Sequence, residues 1–329
     1  MTNAPMVSVV MPVYHVAAFV GEAVASVLAQ RYDDFELIIV DDGGDDESVA
    51  LCRAFGDPRI RVVSQANRGL AGARNTGIAE ARGRYIALLD GDDRWHPDKL
   101  MLHVIHLEAD RTVDVSYAGS RMIDAAGRPL RVAMRPRLAD VTAAHFLTRN
   151  PVGNGSAAVL RRTALHRVAF AHPDTPERRC WFDESFRQSE DIELWLRMAA
   201  GHGCRFEGIA GLLTDYRIVR GGLSANIVRQ FESWQRAVDK LAGYAPDLVA
   251  RHGNRAAAYQ LRYLARRAVQ LGDGPFAAAL VRQALMRDPA ILIAEPVKTA
   301  ITALAAFALR YMPAPAFRAL GTLYLGAAA

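Results

Sequence analysis

Tyr85-Ile-Ala-Leu-Leu-Asp-Gly-Asp-Asp-Arg-Trp-His-Pro-Asp-Lys99 drives a short apolar strand straight into three closely spaced carboxylates, Asp90, Asp92 and Asp93. Hard cations such as Mg²⁺ or Mn²⁺ take oxygen ligands, and they complete their shells with water and substrate phosphate, so one or two carboxylates at a rigid strand end suffice to hold one. The implied ligand is a metal-bound diphosphate. An isolated Asp-x-Asp after a strand is more often a solvated turn, so the weight of this one depends on its surroundings.

Upstream, Val7 to Val13 reads as a buried strand, and Ala17 to Gln30 as a helix with Phe19, Val20, Ala23, Val24, Val27 and Leu28 on one face. The alternation continues with strand Phe35 to Val40, helix Glu47 to Phe55, strand Arg59 to Ser64, helix Leu70 to Ala81 and strand Tyr85 to Leu89. Such alternation predicts a parallel sheet with right-handed crossovers. In open sheets of this kind ligands collect beyond the carboxyl ends of the strands, where Asp41, Asp42, Asp90 and Asp92 all fall. Downstream, the pattern predicts a helix from Pro97 to Glu108, a strand from Val113 to Ala118, a hairpin turn over Ile123 to Arg128, and a short strand from Ser156 to Leu160. A helix through Glu190 to Met198 and two strands, Arg205 to Ile209 and Leu212 to Ile218, follow. Beyond about Ile227 the strand signal stops. The remainder reads as helical, broken at Gly272-Asp-Gly-Pro275 and Asp288-Pro289, and its stretch from Tyr259 to Met286 resembles one helical-repeat unit without a second copy.

At 329 residues, 51% hydrophobic and 23% charged, the chain has the length and composition of one large globular domain or two ordinary ones. The apolar run from Met6 to Met11 lacks the basic region and cleavage site of a signal peptide, which predicts a cytoplasmic protein. Cys52, Cys180 and Cys204 are odd in number and lack metal-ligand spacing, so reduced structural thiols are expected. Forty basic residues against 35 acidic ones is a modest excess, and no nucleic-acid partner is expected from it. The surplus sits late: Arg251 to Ala329 holds ten Lys or Arg against Asp273, Asp288 and Glu295.

The first 225 or so residues resemble a family 2 glycosyltransferase with the GT-A fold. Five stretches carry the resemblance, in order: Val9-Val-Met-Pro-Val-Tyr14, Phe35-Glu-Leu-Ile-Ile-Val-Asp-Asp-Gly43, Asn67-Arg-Gly-Leu-Ala-Gly-Ala-Arg-Asn-Thr-Gly77, Leu88-Leu-Asp-Gly-Asp-Asp93 and Glu190-Asp-Ile-Glu-Leu-Trp-Leu-Arg197. The resemblance implies a Rossmann-like, mostly parallel sheet flanked by helices. It divides the chain into a nucleotide-sugar-binding half over 1–110, an acceptor-side half over 111–225, and a helical C-terminal segment over 226–329. It further implies a metal-dependent, inverting, hexosyltransferase-type enzyme. Such an enzyme moves a sugar from a nucleotide-sugar donor, with UDP as the expected nucleotide, to a saccharide or lipid-linked saccharide in cell-surface polysaccharide or glycolipid synthesis.

By position in these motifs, Pro12 and Tyr14 lie at the nucleotide, with the Tyr14 ring suited to stack on a uracil-like base and Asp42 to accept from its N–H. Arg74 is assigned to a base carbonyl or phosphate, Asp90 to the ribose or the metal's water shell, and Asp92 to direct metal ligation, with Mg²⁺ or Mn²⁺ as cofactor. Asp191 is the expected catalytic base, with Glu190 supporting it; the competing reading of Ser189-Glu-Asp is a helix start capped by Ser189. Three departures stand out. Gly44 replaces a common Ser, Gly91 replaces a small polar residue, and Tyr216-Arg217 is not followed by His, so Arg217 or Arg220 is only loosely matched to a diphosphate contact. His103 and His106, at i and i+3, read as a helical-surface pair rather than zinc ligands, and Trp181, Trp195 and Trp234 as core or acceptor-cleft walls. Gly69-Leu-Ala-Gly72 lacks dinucleotide-binding spacing, which argues against a dehydrogenase.

The apolar segment Ile291 to Met312 is interrupted by Glu295, Pro296, Lys298 and Arg310 and is not expected to span a bilayer. With Phe307, Leu309, Tyr311, Phe317, Leu320, Leu323, Tyr324 and Leu325 beside basic residues, it fits either an anionic membrane surface, making the protein peripheral on the cytoplasmic face, or packing against protein. Two other functions stay open at this level: a polyprenyl-phosphate sugar transferase, and a nucleotide-sugar-binding protein without turnover.

Overall fold

The computed structural model describes residues 4–219 and 227–312. They fall into two compact units, one within 1–146 and 150–223, the other within 147–149 and 224–329. Arg220 and the aromatic tail beyond Met312 lie outside the described residues.

The first unit begins with the expected alternation: β1 (Val7–Val13), α1 (Val20–Leu28), β2 (Phe35–Asp41), α2 (Ser48–Arg53), β3 (Ile60–Ser64), α3 (Gly69–Glu80) and β4 (Tyr85–Leu88). These strands lie parallel in the order β3-β2-β1-β4, with Val9 opposite Leu37 on one side and Ala87 on the other. Every residue of β1 is buried, as a central strand covered on both faces demands. Burial of each Val or Met there contributes about 1.5–3 kcal/mol. Pro12 is tolerated in this strand because β4 pairs only with Val7 to Val10, so the missing N–H falls where one edge is already free. Gly77 lets α3 lie close on the sheet: a Cβ there would come within 2.2 Å of Val10 Cγ1.

After β4 come β5 (Arg94–Trp95), α4 (Lys99–Ala109), β6 (Val115–Ile123), β7 (Pro129–Met134), α5 (Ala143–Thr148), β8 (Ala158–Arg161), α6 (Arg162–Val168), β9 (Phe170–Ala171), β10 (Arg179–Cys180), α7 (Glu190–Leu196) and β11 (Phe206–Arg217). The sheet continues β4-β8-β6-β11-β5, with β7 paired to β6, and here antiparallel pairs enter at β4–β8, β6–β8, β6–β7 and β5–β11. The Rossmann-like sheet that the resemblance implies is thus present, its parallel half β3-β2-β1-β4 followed by antiparallel insertions, with β11 again parallel to β6. The two strands expected over 205–218 are a single bulged strand, β11, parallel to β6 with register shifts at Ile209, Leu212 and Thr214. Gly211, at φ +116°, supplies the backbone freedom for this irregularity.

The second unit is helical: α8 (Ile227–Tyr244), α9 (Pro246–Gln270), α10 (Gly274–Arg287), α11 (Ile291–Ala294) and α12 (Pro296–Tyr311). Leu261, Leu264, Ala265, Leu280, Val281, Ile291 and Ala306 share its core. Asp273 caps α10 by accepting from Phe276 N–H at 3.0 Å, with Pro275 in the first turn. Trp234 is buried in this unit, stacked on Phe231, while Trp181 and Trp195 are core residues of the first. Cys52, Cys180 and Cys204 are buried free thiols. Among the described residues no helix is long and apolar enough to cross a membrane.

Candidate active site

Arg74, on the second turn of α3, is the centre of the site. Its Nη2 donates to Asp90 Oδ1 and its Nη1 to Glu190 Oε1, each at 2.7 Å, the second across 116 residues of sequence, which ties the end of β4 to the start of α7. The guanidinium is only 1% exposed and stacks over Phe182 at 5.2 Å. Burial alone would weaken its charge, but Asp90, Glu190 and Asp191 together hold its pKa above the ordinary arginine value. Gly155 makes room for it, since a Cβ there would stand 2.4 Å from Nη2. Motif position matches Arg74 to a base or phosphate; in the structure its fork is closed on protein carboxylates.

The β4 end is built by a second set of contacts. Ser156 Oγ accepts from Asp90 N–H at 3.0 Å and donates to Asp93 Oδ2 at 2.6 Å, and Asp93 Oδ1 accepts from Arg217 N–H at 2.9 Å. Arg217 donates to the carbonyls of Asp92, Asp124 and Ala125 and to Glu22, so its donors are turned into the protein rather than toward a diphosphate. Gly91, the departure in the motif, packs against Pro12 O and Val16, where a Cβ would come within 3.2 Å of both. Pro12 thereby joins the β1 end to the acid cluster.

Asp92 receives far less. Burial, then the charge of Asp90, pushes its carboxyl up to about 6, with its own backbone N–H and Arg217 opposing the shift. Among the described residues no three His, Cys, Asp or Glu side chains converge as a protein-only metal cage. Two neighbouring carboxylates at a strand end are a donor set of the kind that suits a cation taking its remaining oxygens from water and phosphate.

At α7, Asp191 Oδ1 accepts from Ile192 N–H, at 2.8 Å. Burial first and Glu190 second push the Asp191 carboxyl up to about 7, with Arg74 acting against them. Ser189 does not cap the helix through its side chain; it holds φ +59°, a left-handed conformation uncommon for a non-glycine residue and characteristic of constrained functional sites.

The end of β2 separates two adjacent acids. Asp42 is buried and holds three protein donors, accepting from Gln65 Nε2 at 2.6 Å and from the N–H groups of Arg68 and Gly69 at 2.9 Å. The acid that looks outward is Asp41, half-buried, with Gly43 N–H as its donor. Tyr14 is 49% exposed just past β1, its ring edge on His15 at 4.2 Å. Gly44 brings no hydroxyl to this turn, and its neighbours supply one: Ser48 Oγ accepts from Val16 N–H, and Asp46 accepts from Ala17 N–H.

Several residues of the site are not apparent from sequence. Asn75 accepts from Trp181 and Phe182 N–H and donates to Phe182 O and Glu184, fixing the 181–184 segment beside Arg74. A polar cavity of about 340 Å³ opens against that segment, lined by Asn67, Arg68, His172, Glu184 and Arg187 among others. Lys99 is fully buried behind the cluster, donating to Ala157 O at 2.9 Å, and burial pushes its amine down to about 7. His103 is not a surface residue: it is buried, and its ring and that of His106 share Ser116 Oγ at 2.7 and 2.8 Å. An Asn-Gly turn signal at Asn154-Gly155 could have flagged the Ser156 loop; nothing local flags Lys99.

The description "Glycosyl transferase family 2" matches residues 8–168. The succinoglycan biosynthesis protein ExoO of Rhizobium meliloti is 34% identical over 232 residues, 68% of this chain and 63% of that protein. A putative teichuronic acid biosynthesis glycosyltransferase of Bacillus subtilis, TuaG, is 30% identical over 69% of this chain and 84% of its own length. A UDP-Glc:alpha-D-GlcNAc-diphosphoundecaprenol beta-1,3-glucosyltransferase of Escherichia coli, WfgD, is 27% identical over 75% and 89%. Matches span 26–63% of the length of the first curated relatives. In structure, the chain is similar to the mannosyltransferase PcManGT of Pyrobaculum calidifontis, solved with GDP-Man and Mn²⁺, at a TM-score of 0.58 and 21% identity over 99% of this chain and 89% of that one, a likeness that establishes the GT-A-type fold. The chain belongs to glycosyltransferase family 2.

Proposed function

We propose that the chain is a metal-dependent inverting glycosyltransferase that moves a sugar from a nucleotide donor, UDP-linked, to a saccharide hydroxyl in the assembly of a cell-surface polysaccharide or glycolipid. The observation that carries this reading is the unequal treatment of the α7 acids: Arg74 neutralises Glu190, while Asp191 keeps a carboxyl raised to about 7. A general base is most effective when its pKa lies near the working pH. Asp191 then removes the proton from the acceptor hydroxyl as that oxygen bonds to the anomeric carbon; the bond from that carbon to the diphosphate oxygen breaks, and the nucleoside diphosphate leaves with the electron pair. Attack opposite the leaving group inverts the anomeric centre.

Asp92 and Asp90 would hold Mg²⁺ or Mn²⁺, whose chemistry when bound is to offset the negative charge of the departing diphosphate. Tyr14 offers its face to the base. Asp41 rather than Asp42 is the acid we assign to the base N–H, because Asp42 is buried and already holds three protein donors, with a single Oδ2 lone pair left over, whereas Asp41 is half-buried with one. Arg74 acts through the acids it holds. The polar cavity beside 181–184 suits the hydroxyls of an acceptor sugar, and Arg187 on its wall is four residues from Asp191, a reach of at most about 14 Å. The division at 225 and placement on the cytoplasmic face of a membrane, where lipid-linked acceptors such as the one in WfgD's name are held, belong to the same reading.

A phosphate acceptor is already ionised and needs no base, so the raised Asp191 favours a hydroxyl acceptor over a polyprenyl phosphate. A non-catalytic binder would gain nothing from a half-buried, repelled carboxylate. The test is a screen of UDP- and GDP-sugars with saccharide and diphosphate-linked acceptors, following nucleoside diphosphate release with and without Mn²⁺. Cation-dependent release of UDP with a saccharide acceptor is expected; no release from any donor, or equal release in EDTA, overturns the proposal.

A further inference from the structure

The second unit is cationic and carries an apolar stripe on the side of a helix turned to water. Between Ile227 and Met312 there are twelve Lys or Arg against six Asp or Glu. Helix α12 buries Thr299, Thr302 and Ala306, yet Val297, Ile301, Leu304 and Tyr311 are 68, 53, 71 and 72% exposed. Spacing of four, three and seven residues sets these side chains on one stripe, opposite the buried face. Ile293, at the end of α11, extends the apolar surface and is 85% exposed. Single exposed aliphatics are ordinary, but a stripe of four on α12, with Ile293 just before it, marks a surface that meets something.

The root of the stripe is positively charged. The single carboxylate of Glu295, just before α12, pairs with Arg149, Arg262 and, at 3.4 Å, Lys298. Arg266 is exposed nearby, and with Arg149 and Arg262 it disfavours the charged form of Lys298, so the groups share one field. Four cations thus face one acid where Val297 begins the row. The first turn of α12 adds unpaired N–H groups of the same sign.

We propose that this face docks on an anionic lipid surface, with Ile293, Val297, Ile301 and Leu304 entering the acyl boundary and Arg149, Arg266 and Lys298 meeting phosphate headgroups. An interfacial helix needs just this combination of apolar area and adjacent positive charge. A second copy fits less well, because a two-fold contact through the stripe brings two cationic roots into one interface. The inference deepens the reading of a membrane-held acceptor by naming the face that meets the membrane.

The test is sedimentation of the full chain with phosphatidylcholine vesicles and with vesicles in which about a third of the lipid is phosphatidylglycerol, at low and high salt. Binding to the anionic vesicles alone, falling with salt, is expected. Ile301→Ser with Leu304→Ser should weaken it about tenfold or more, and Arg266→Glu with Lys298→Glu should remove the preference for anionic lipid, with circular dichroism and thermal unfolding unchanged. Equal binding to both vesicles, wild-type binding by both variants, or a dimer in analytical ultracentrifugation that the Ser variant dissolves would overturn the proposal. Vesicle binding requires no sugar transfer, so its failure and that of the glycosyltransferase reading are separable.

Discussion

The acid clusters at the ends of β2 and β4 and at the start of α7 each contain a carboxylate that the protein consumes and one that keeps few protein donors. Asp42, Asp93 and Glu190 accept two or three protein donors or a buried guanidinium. Asp41, Asp92 and Asp191 keep little beyond a neighbouring backbone N–H. The difference teaches that the satisfied acids hold the site together and the unsatisfied ones are free to act on a ligand. Stability and function should therefore separate along these pairs.

The comparison breaks first, and with the largest effect, at Arg74. Arg74→Met leaves the buried Glu190 and the half-buried Asp90 and Asp191 without their cation, and unfolding free energy should drop by roughly 3–5 kcal/mol in urea denaturation. A loss below about 1 kcal/mol would mean that the acids find other partners.

At β4, Asp92→Asn removes a repelled charge, so the fold should persist while Mn²⁺-dependent UDP affinity falls tenfold or more, on the order of 1.4 kcal/mol, in calorimetry. Undiminished affinity would take Asp92 out of the cation's shell. At β2 the paired substitutions sharpen the contrast. Asp42→Ala strands the N–H groups of Arg68 and Gly69 and should cost about 2 kcal/mol of stability, whereas Asp41→Ala should cost less than about 1 kcal/mol and weaken UDP binding several-fold. The reverse pattern would return the nucleotide contact to Asp42.

The smallest effect concerns pH. The folded Asp191 carboxyl titrates near 7, above its unfolded value, so the folded state binds the extra proton between the two. The stabilisation is complete below the unfolded pKa and is lost as pH rises toward 7. Asp191→Asn should flatten that decline in thermal unfolding of the cation-free protein between pH 5 and 8; an unchanged slope would assign it to other groups.

How much of the molecule is legible in its sequence follows from the range of the contacts. Strands β1 to β4 announce themselves because buried parallel strands are continuous apolar runs closed by local turns, and β1 falls over Val7 to Val13 as the pattern predicts. The antiparallel insertion of β8 between β4 and β6 is set by distant partners, Tyr85 opposite Arg161 and Val115 opposite Leu160, which no short window of sequence contains. The site shows the same limit. Motif acids can be named from spacing, but which of two adjacent acids is consumed depends on Gln65, Ser156 and Arg74 arriving from elsewhere, so motif position points to Asp42 where Asp41 is the open acid. Gly155 and Ser156 carry no charge to draw notice. His103 reads as helical surface and Lys99 draws no reading of its own, because a buried imidazole or amine is rare unless satisfied, and their partners Ser116, Ala157 O and Thr214 come from other elements.

The most direct test of the division between structural and acting acids is a paired measurement on Asp191→Asn: steady-state sugar transfer alongside donor affinity and urea denaturation. Transfer roughly 100-fold lower or more, with donor affinity within about twofold and stability equal to or above that of the native chain, is the predicted result. Transfer near the native rate, or lost only because the protein unfolds, would contradict it.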